Sequence, residues 1–101
     1  MIRGTTPTLM FTTPYTADQV TSGYITFTMR GYVVLDIPVS DDSVVISDNA
    51  ISLTLTQQQT LSFQSKATSL VQLRLVLDDG SAVASNIIKI TIGDILKDGE
   101  I

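Results

Sequence analysis

The sequence predicts an all-β chain: an antiparallel β-sandwich of immunoglobulin-like type, with about seven short strands and one or two short helical turns. Two observations predict it. Apolar residues recur at every second position in separate stretches, as in Ile25, Phe27, Met29, in Val71, Leu73, Leu75, Leu77, and in Ile88, Ile90, Ile92. That is the period of a strand whose side chains alternate between core and water. Turn-forming clusters separate these stretches at roughly 8 to 12 residues, the spacing of a small sandwich. The chain has no Trp and no Cys. The disulfide packed on an indole that pins antibody-type domains is therefore missing, and a closed barrel is the alternative architecture.

Taken in order, Thr8-Leu9-Met10-Phe11-Thr12 reads as a short strand between Pro7 and Pro14. Proline has no N–H to donate to a ladder, so this strand is expected at a sheet edge. Thr16 or Asp18 caps a brief helical turn in the loop Tyr15 to Gly23. Tyr24 to Arg30 alternates, with Ile25, Phe27 and Met29 inward. Arg30-Gly31 joins it tightly to Tyr32 to Ile37, where Val33, Leu35 and Ile37 are expected to share one face. Ser40-Asp41-Asp42-Ser43 is turn chemistry. Val44 to Ser47 and Ile51 to Thr56 form a further hairpin about Asp48-Asn49. Thr56-Gln57-Gln58-Gln59 matches a capping box and predicts helix over Gln57 to Phe63. The strongest hairpin runs from Leu70 to Leu77, turns at Asp78-Asp79-Gly80-Ser81, and returns as one strand from Ala82 to Ile92. A last capped turn is expected over Asp94 to Asp98, closed by Gly99.

At 101 residues, without internal repeat or linker, the chain is expected to be a single domain spanning residues 1–101. Leu, Ile, Val and Phe make up roughly a third of it, enough for a packed core. Charged residues are only 16%, and Thr, Ser, Gln and Asn fill the surface in their place. The six Lys and Arg are scattered in a chain of net charge −4. No basic stripe of the kind that neutralises phosphates exists, so nucleic acid is not an expected partner. No apolar run approaches the roughly 20 residues of a membrane span, and the N-terminus lacks a signal-peptide core. No membrane association is expected.

With no His and no Cys, the commonest general base, the thiolate nucleophile and the usual transition-metal ligands are missing. A nucleophilic Ser would need Lys66, Lys89 or Lys97 as its base, and no S-x-x-K spacing occurs. No enzyme, cofactor or small-molecule substrate is expected. Asp41, Asp42, Asp48, Asp78 and Asp79 are read as turn formers rather than Ca²⁺ ligands, since EF-hand spacing is absent. Tyr15, Tyr24 and Tyr32 are read as covering sheet edges rather than forming a sugar platform.

Ile2-Arg3-Gly4-Thr5-Thr6-Pro7-Thr8 with its alternating strand, Leu53-Thr54-Leu55-Thr56-Gln57, Ala84-Ser85-Asn86-Ile87-Ile88, and Ile95-Leu96-Lys97-Asp98-Gly99 resemble small proteins encoded by tailed phages and prophages of Gram-positive bacteria. More distantly, the layout resembles the N-terminal β-domain of phage baseplate upper proteins. The resemblance implies a virion structural component of tail, baseplate or fibre attachment, made in the bacterial cytoplasm. Its partners would be other virion proteins and itself. A binding module for a host-surface glycan or a host protein is the alternative. Assembly contacts are expected at the two chain ends, through Arg3, Gly4, Thr5, Thr6, Pro7, Leu9, Phe11, Ile95, Lys97 and Asp98. The strand Thr8 to Thr12 carries no charge, and Ile87 to Ile92 carries only Lys89. Both therefore lack the charged residues that blunt an exposed strand edge.

Overall fold

The computed structural model describes residues 1–101, and the chain is all-β in two antiparallel sheets. Eight strands are present: β1 (Thr8–Thr12), β2 (Val20–Met29), β3 (Tyr32–Pro38), β4 (Val44–Ser47), β5 (Ala50–Thr54), β6 (Thr68–Leu77), β7 (Ala82–Ala84) and β8 (Ile88–Thr91). Helix is confined to a 3-10 turn at Ala17–Gln19 and to α1 (Gln57–Leu61). No helix is long and apolar enough to cross a membrane. The smaller sheet has the order β1-β5-β4. The larger has the order β3-β2-β6, with both β7 and β8 alongside β6.

The ten-residue strands β2 and β6 form the centre of the larger sheet, and their inward residues Ile25, Phe27, Val71, Leu73 and Leu75 are all buried. Ile25 and Phe27 of β2 pair with Leu73 and Val71 of β6. Phe11, Ile51 and Leu53 of the smaller sheet join them in one core cluster. Phe63, just past α1, completes it, and its ring meets Phe27 edge to face at 5.7 Å, the geometry that the ring quadrupoles favour. At Gly23 the β2 and β6 backbones approach so closely that a Cβ would lie 2.4 Å from the Arg74 carbonyl oxygen. The position admits no side chain.

The local turn chemistry accounts for the connections. Arg30 and Gly31 both take positive φ, 53° and 83°, which gives the β2–β3 hairpin the twist of a two-residue loop. Asn49, at φ 64°, turns β4 into β5. It also ties that turn to the end of β1, because its Nδ2 donates to Thr13 O (3.2 Å) and its N–H to Tyr15 O (3.0 Å). Helix α1 starts at a reciprocal cap: the Gln59 N–H donates to Thr56 Oγ1 (3.1 Å) and the Thr56 N–H to Gln59 Oε1 (2.9 Å). Inside it, Thr60 is fully buried with its hydroxyl donating to Thr5 O and Gln57 O. The buried Ser69 hydroxyl likewise donates to Thr28 O. Burying these hydroxyls is tolerable because each has a partner.

Three expectations are corrected. Val33 does not share the core face with Leu35 and Ile37: the β2–β3 register shifts between Phe27 and Thr28, leaving Val34 as an extra residue. The bulge reverses side-chain parity. Val34 therefore packs on the core while Val33 is 62% exposed. The return from Ala82 to Ile92 is two strands rather than one, which raises the count to eight. Arg74 pairs with Ala84 but Val71 with Ile88, so three residues, Ser85 to Ile87, stand opposite Gln72 and Leu73. Ser85 bridges the break: the Leu73 N–H donates to its hydroxyl (3.0 Å), and its own N–H donates to Leu73 O (2.8 Å). Finally, Asp94 to Asp98 forms bends and no helical turn. There the Asp94 carboxylate accepts the N–H of the adjacent Ile95 and lies near Arg3, so it is not the cap of a helical first turn.

Three truncations probe this register. Leu73→Ala is expected to cost about 2 to 5 kcal/mol in denaturant unfolding, since Leu73 is a core residue only 3% exposed. Val34→Ala should cost clearly more than Val33→Ala, which should stay within about 0.5 kcal/mol of the parent as an exposed substitution. Equal costs for the two valines would show that the bulge is misplaced.

Candidate functional site

Two regions contain the residues expected to make contacts. The first is the junction of the chain ends. The N-terminal ammonium donates to Thr91 O (3.0 Å), and Ile2 forms a parallel bridge with Gly93. Arg3 then reaches the C-terminal end of α1, where Nε donates to Phe63 O (2.8 Å) and Nη2 to Leu61 O (3.2 Å). These carbonyls lack partners within the short helix, and a cation beside them also suits the helix dipole. The same guanidinium lies 3.8 Å from Asp94 and 3.7 Å from Asp98. Gly4, at φ 72°, sits where a Cβ would press within 3.0 Å of Ile95. The structure thus brings Arg3, Gly4, Ile95 and Asp98 together. Lys97 and Thr6 are exposed, and Thr5 is held by its hydroxyl on Ile2 O.

The second region is the edge of the smaller sheet. Pro7 leads into β1 with its carbonyl accepting the Leu55 N–H (3.0 Å), and beyond the strand the Thr13 N–H donates to Asn49 O (3.0 Å). Antiparallel ladders alternate by two, so the intervening odd residues, Leu9 and Phe11, direct their backbone groups to β5. Their side chains face the core, where Phe11 is buried and Leu9 half-buried. Thr8, Met10 and Thr12 direct N–H and C=O outward, where no hydrogen bond within the chain meets them. Along this open side lies an apolar groove of about 300 Å³. Phe11 and Tyr15 line one wall, and Leu73, Leu75, Val83 and Ile88 line the other.

The far wall of that groove comes from residues more than 60 positions from β1 and carries no local motif. The one sequence signal is Ser85-Asn86, small polar residues that interrupt an apolar strand where the ladder breaks. The three tyrosines do not gather into one surface. Tyr15 lies at the groove, Tyr24 pairs with Arg74 and Pro38 on the larger sheet, and Tyr32 is at the far end of β3 opposite Met29. No three acidic residues lie together in a metal-binding group.

Two of the loop aspartates, Asp41 and Asp79, are engaged in their own turns. The Ser43 hydroxyl, then its N–H, donates to the Asp41 carboxylate and holds that carboxyl below the ordinary value of 3.8. Ser81 does the same for Asp79. No protein-family model matches the chain, and no curated protein does. What the geometry defines is a class: an all-β, two-sheet protein with an open, uncharged five-residue edge strand bordered by an apolar groove.

Two measurements check these assignments. Because the folded carboxyls of Asp41 and Asp79 titrate below 3.8, their stabilising contribution is present above that value and is lost as pH falls through their lowered pKa. Carboxyl NMR titration should place both below the other aspartates, and Ser43→Ala or Ser81→Ala should return the matching group to the ordinary value. At the chain ends, Arg3→Ala should destabilise by about 1.5 to 3 kcal/mol, because it leaves α1 carbonyls without their charged donor. Asp98→Asn should change little, since the exposed pair is worth no more than about 1 kcal/mol. A larger effect from Asp98→Asn than from Arg3→Ala in urea unfolding would reverse that assignment.

Proposed function

We propose that the protein is a non-enzymatic structural component of a phage virion, a tail, baseplate or fibre-attachment subunit that works by protein–protein assembly. Its fold on this reading is an immunoglobulin-like β-sandwich, supported by two antiparallel sheets that share one core. The likeness of its end segments to tailed-phage proteins supports the setting. The observation that carries assembly is the edge strand β1. It is uncharged and free of bulges, and it presents the backbone groups of three residues to the outside. A protein meant to stay alone blunts such an edge.

The other edges are blunted. β3 carries a bulge and Asp36, the β7–β8 edge is broken at Ser85 to Ile87 and carries Lys89, and β4 is only four residues long. Assembly through β1 would add a strand to the smaller sheet, with the stapled chain ends fixing the start of β1 in place.

A second reading, a glycan-binding module, has one observation behind it. Exposed Tyr24 borders a shallow depression with Asp36 and Arg74 on the larger sheet, and an aromatic ring beside paired polar groups suits a sugar.

The test is mass spectrometry of density-purified particles from an induced lysogen or lytic infection carrying the gene. The chain is expected at fixed stoichiometry to known tail proteins. Its absence from particles, together with retention of a sugar on a glycan array that Tyr24→Ala abolishes, would favour the second reading.

A further inference from the structure

Resting on the assembly reading, we infer that the groove beside β1 is the seat of one extended, uncharged peptide strand from a different polypeptide, with apolar side chains at alternating positions. The backbone fixes the first part. Thr8, Met10 and Thr12 offer N–H and C=O outward at the two-residue repeat of an antiparallel ladder, and only another extended backbone matches that repeat along its length.

The groove fixes the side chains. A strand bonded to β1 continues the smaller sheet, so alternate side chains point the same way as Leu9 and Phe11, toward the core side. There they meet Phe11, Leu73, Leu75, Val83 and Ile88. No charged residue lines the groove, so an inward Lys or Asp on the incoming strand would lose its water without gaining a partner. The side chains between them point to the outer face, beside exposed Thr8, Met10 and Thr12, where Thr or Ser is suitable.

Two nearer occupants fail. A second copy pairing β1 with β1 would be related by a two-fold axis normal to the sheet. Its inward residues would again be Leu9 and Phe11, and both are already packed in their own core, so a second β1 has no free side chains with which to fill the groove. The chain's own C-terminal segment, Asp94 to Ile101, has charges at Asp94, Lys97, Asp98 and Glu100, and its last residue is held by Gln57 through Ile101 N–H to Oε1 (2.8 Å).

The experiment uses the full chain, isotopically labelled, with a synthetic end-capped heptapeptide alternating threonine and valine as the probe. Expected results at about 1 mM peptide are slowed amide exchange at Met10 and Thr12 and shifted methyl signals at Leu73, Leu75 and Val83. The same peptide with its valines replaced by aspartate should leave these signals unmoved. Met10→Pro removes an outward N–H while leaving the β5 ladder intact, and should weaken binding about tenfold. Thr12→Lys, a surface change that keeps the fold, should do the same by blunting the edge, and decides the matter if Met10→Pro unfolds. Shifts confined to β3, β4 or the outer face, equal binding of the aspartate peptide, or no shifts at all would overturn the inference. Failure of the peptide with the chain still present in purified particles would remove the strand site alone. A seated peptide with the chain absent from particles would remove the virion reading and leave the site.

Discussion

The antiparallel pairing of β2 with β6 is the constraint on which the remaining structure depends. Both strands are ten residues long, and each has a neighbour on its other side. Together they present Ile25, Phe27, Val71, Leu73 and Leu75 as a continuous apolar surface. Gly23 permits the close approach of the two backbones. Such a surface cannot remain in water, and the smaller sheet and Phe63 cover it. The smaller sheet has only three strands, and where it ends at β1 the nearly buried Leu73 and Leu75 line the groove together with the less buried Val83 and Ile88.

The chain ends serve that arrangement. Arg3 ties the N-terminal segment to the carbonyl end of α1, and Ile2 bridges to Gly93 just after Ile92, a fully packed core residue. The segment leading into β1 is therefore anchored at several points before the strand begins. An anchored segment loses little further conformational freedom when its edge is extended by another strand, which lowers the entropic cost of association. The charged residues at this junction thus act through positioning, and the uncharged strand beyond them supplies the surface for contact.

Bulges set which faces are apolar and which edges are available. The extra residue at Val34 turns Val33 out to solvent, and the three residues at Ser85 to Ile87 divide the returning strand. A third irregularity, between Val20 and Ser22, lies where β2 begins. Bulges twist and interrupt edges, which discourages further pairing there. β1 is the five-residue edge strand without one.

By itself the sequence determined the all-β character, most strand positions and most turns, because these depend on interactions within a few residues. Alternation at Ile25, Phe27 and Met29, positive φ at Gly31, Asn49 and Gly80, and the reciprocal cap at Thr56 and Gln59 are each set by neighbours along the chain. The edge position of β1 was legible in its flanking prolines for the same reason. Only the tertiary structure decided the face of Val33, the division of Ala82 to Ile92, the docking of the Arg3 guanidinium on the carbonyl end of α1 and the groove between β1 and β7. A bulge depends on the ladder register imposed by a partner strand, and a groove depends on two sheet edges distant in sequence. Neither leaves a periodic trace in the strand that contains it.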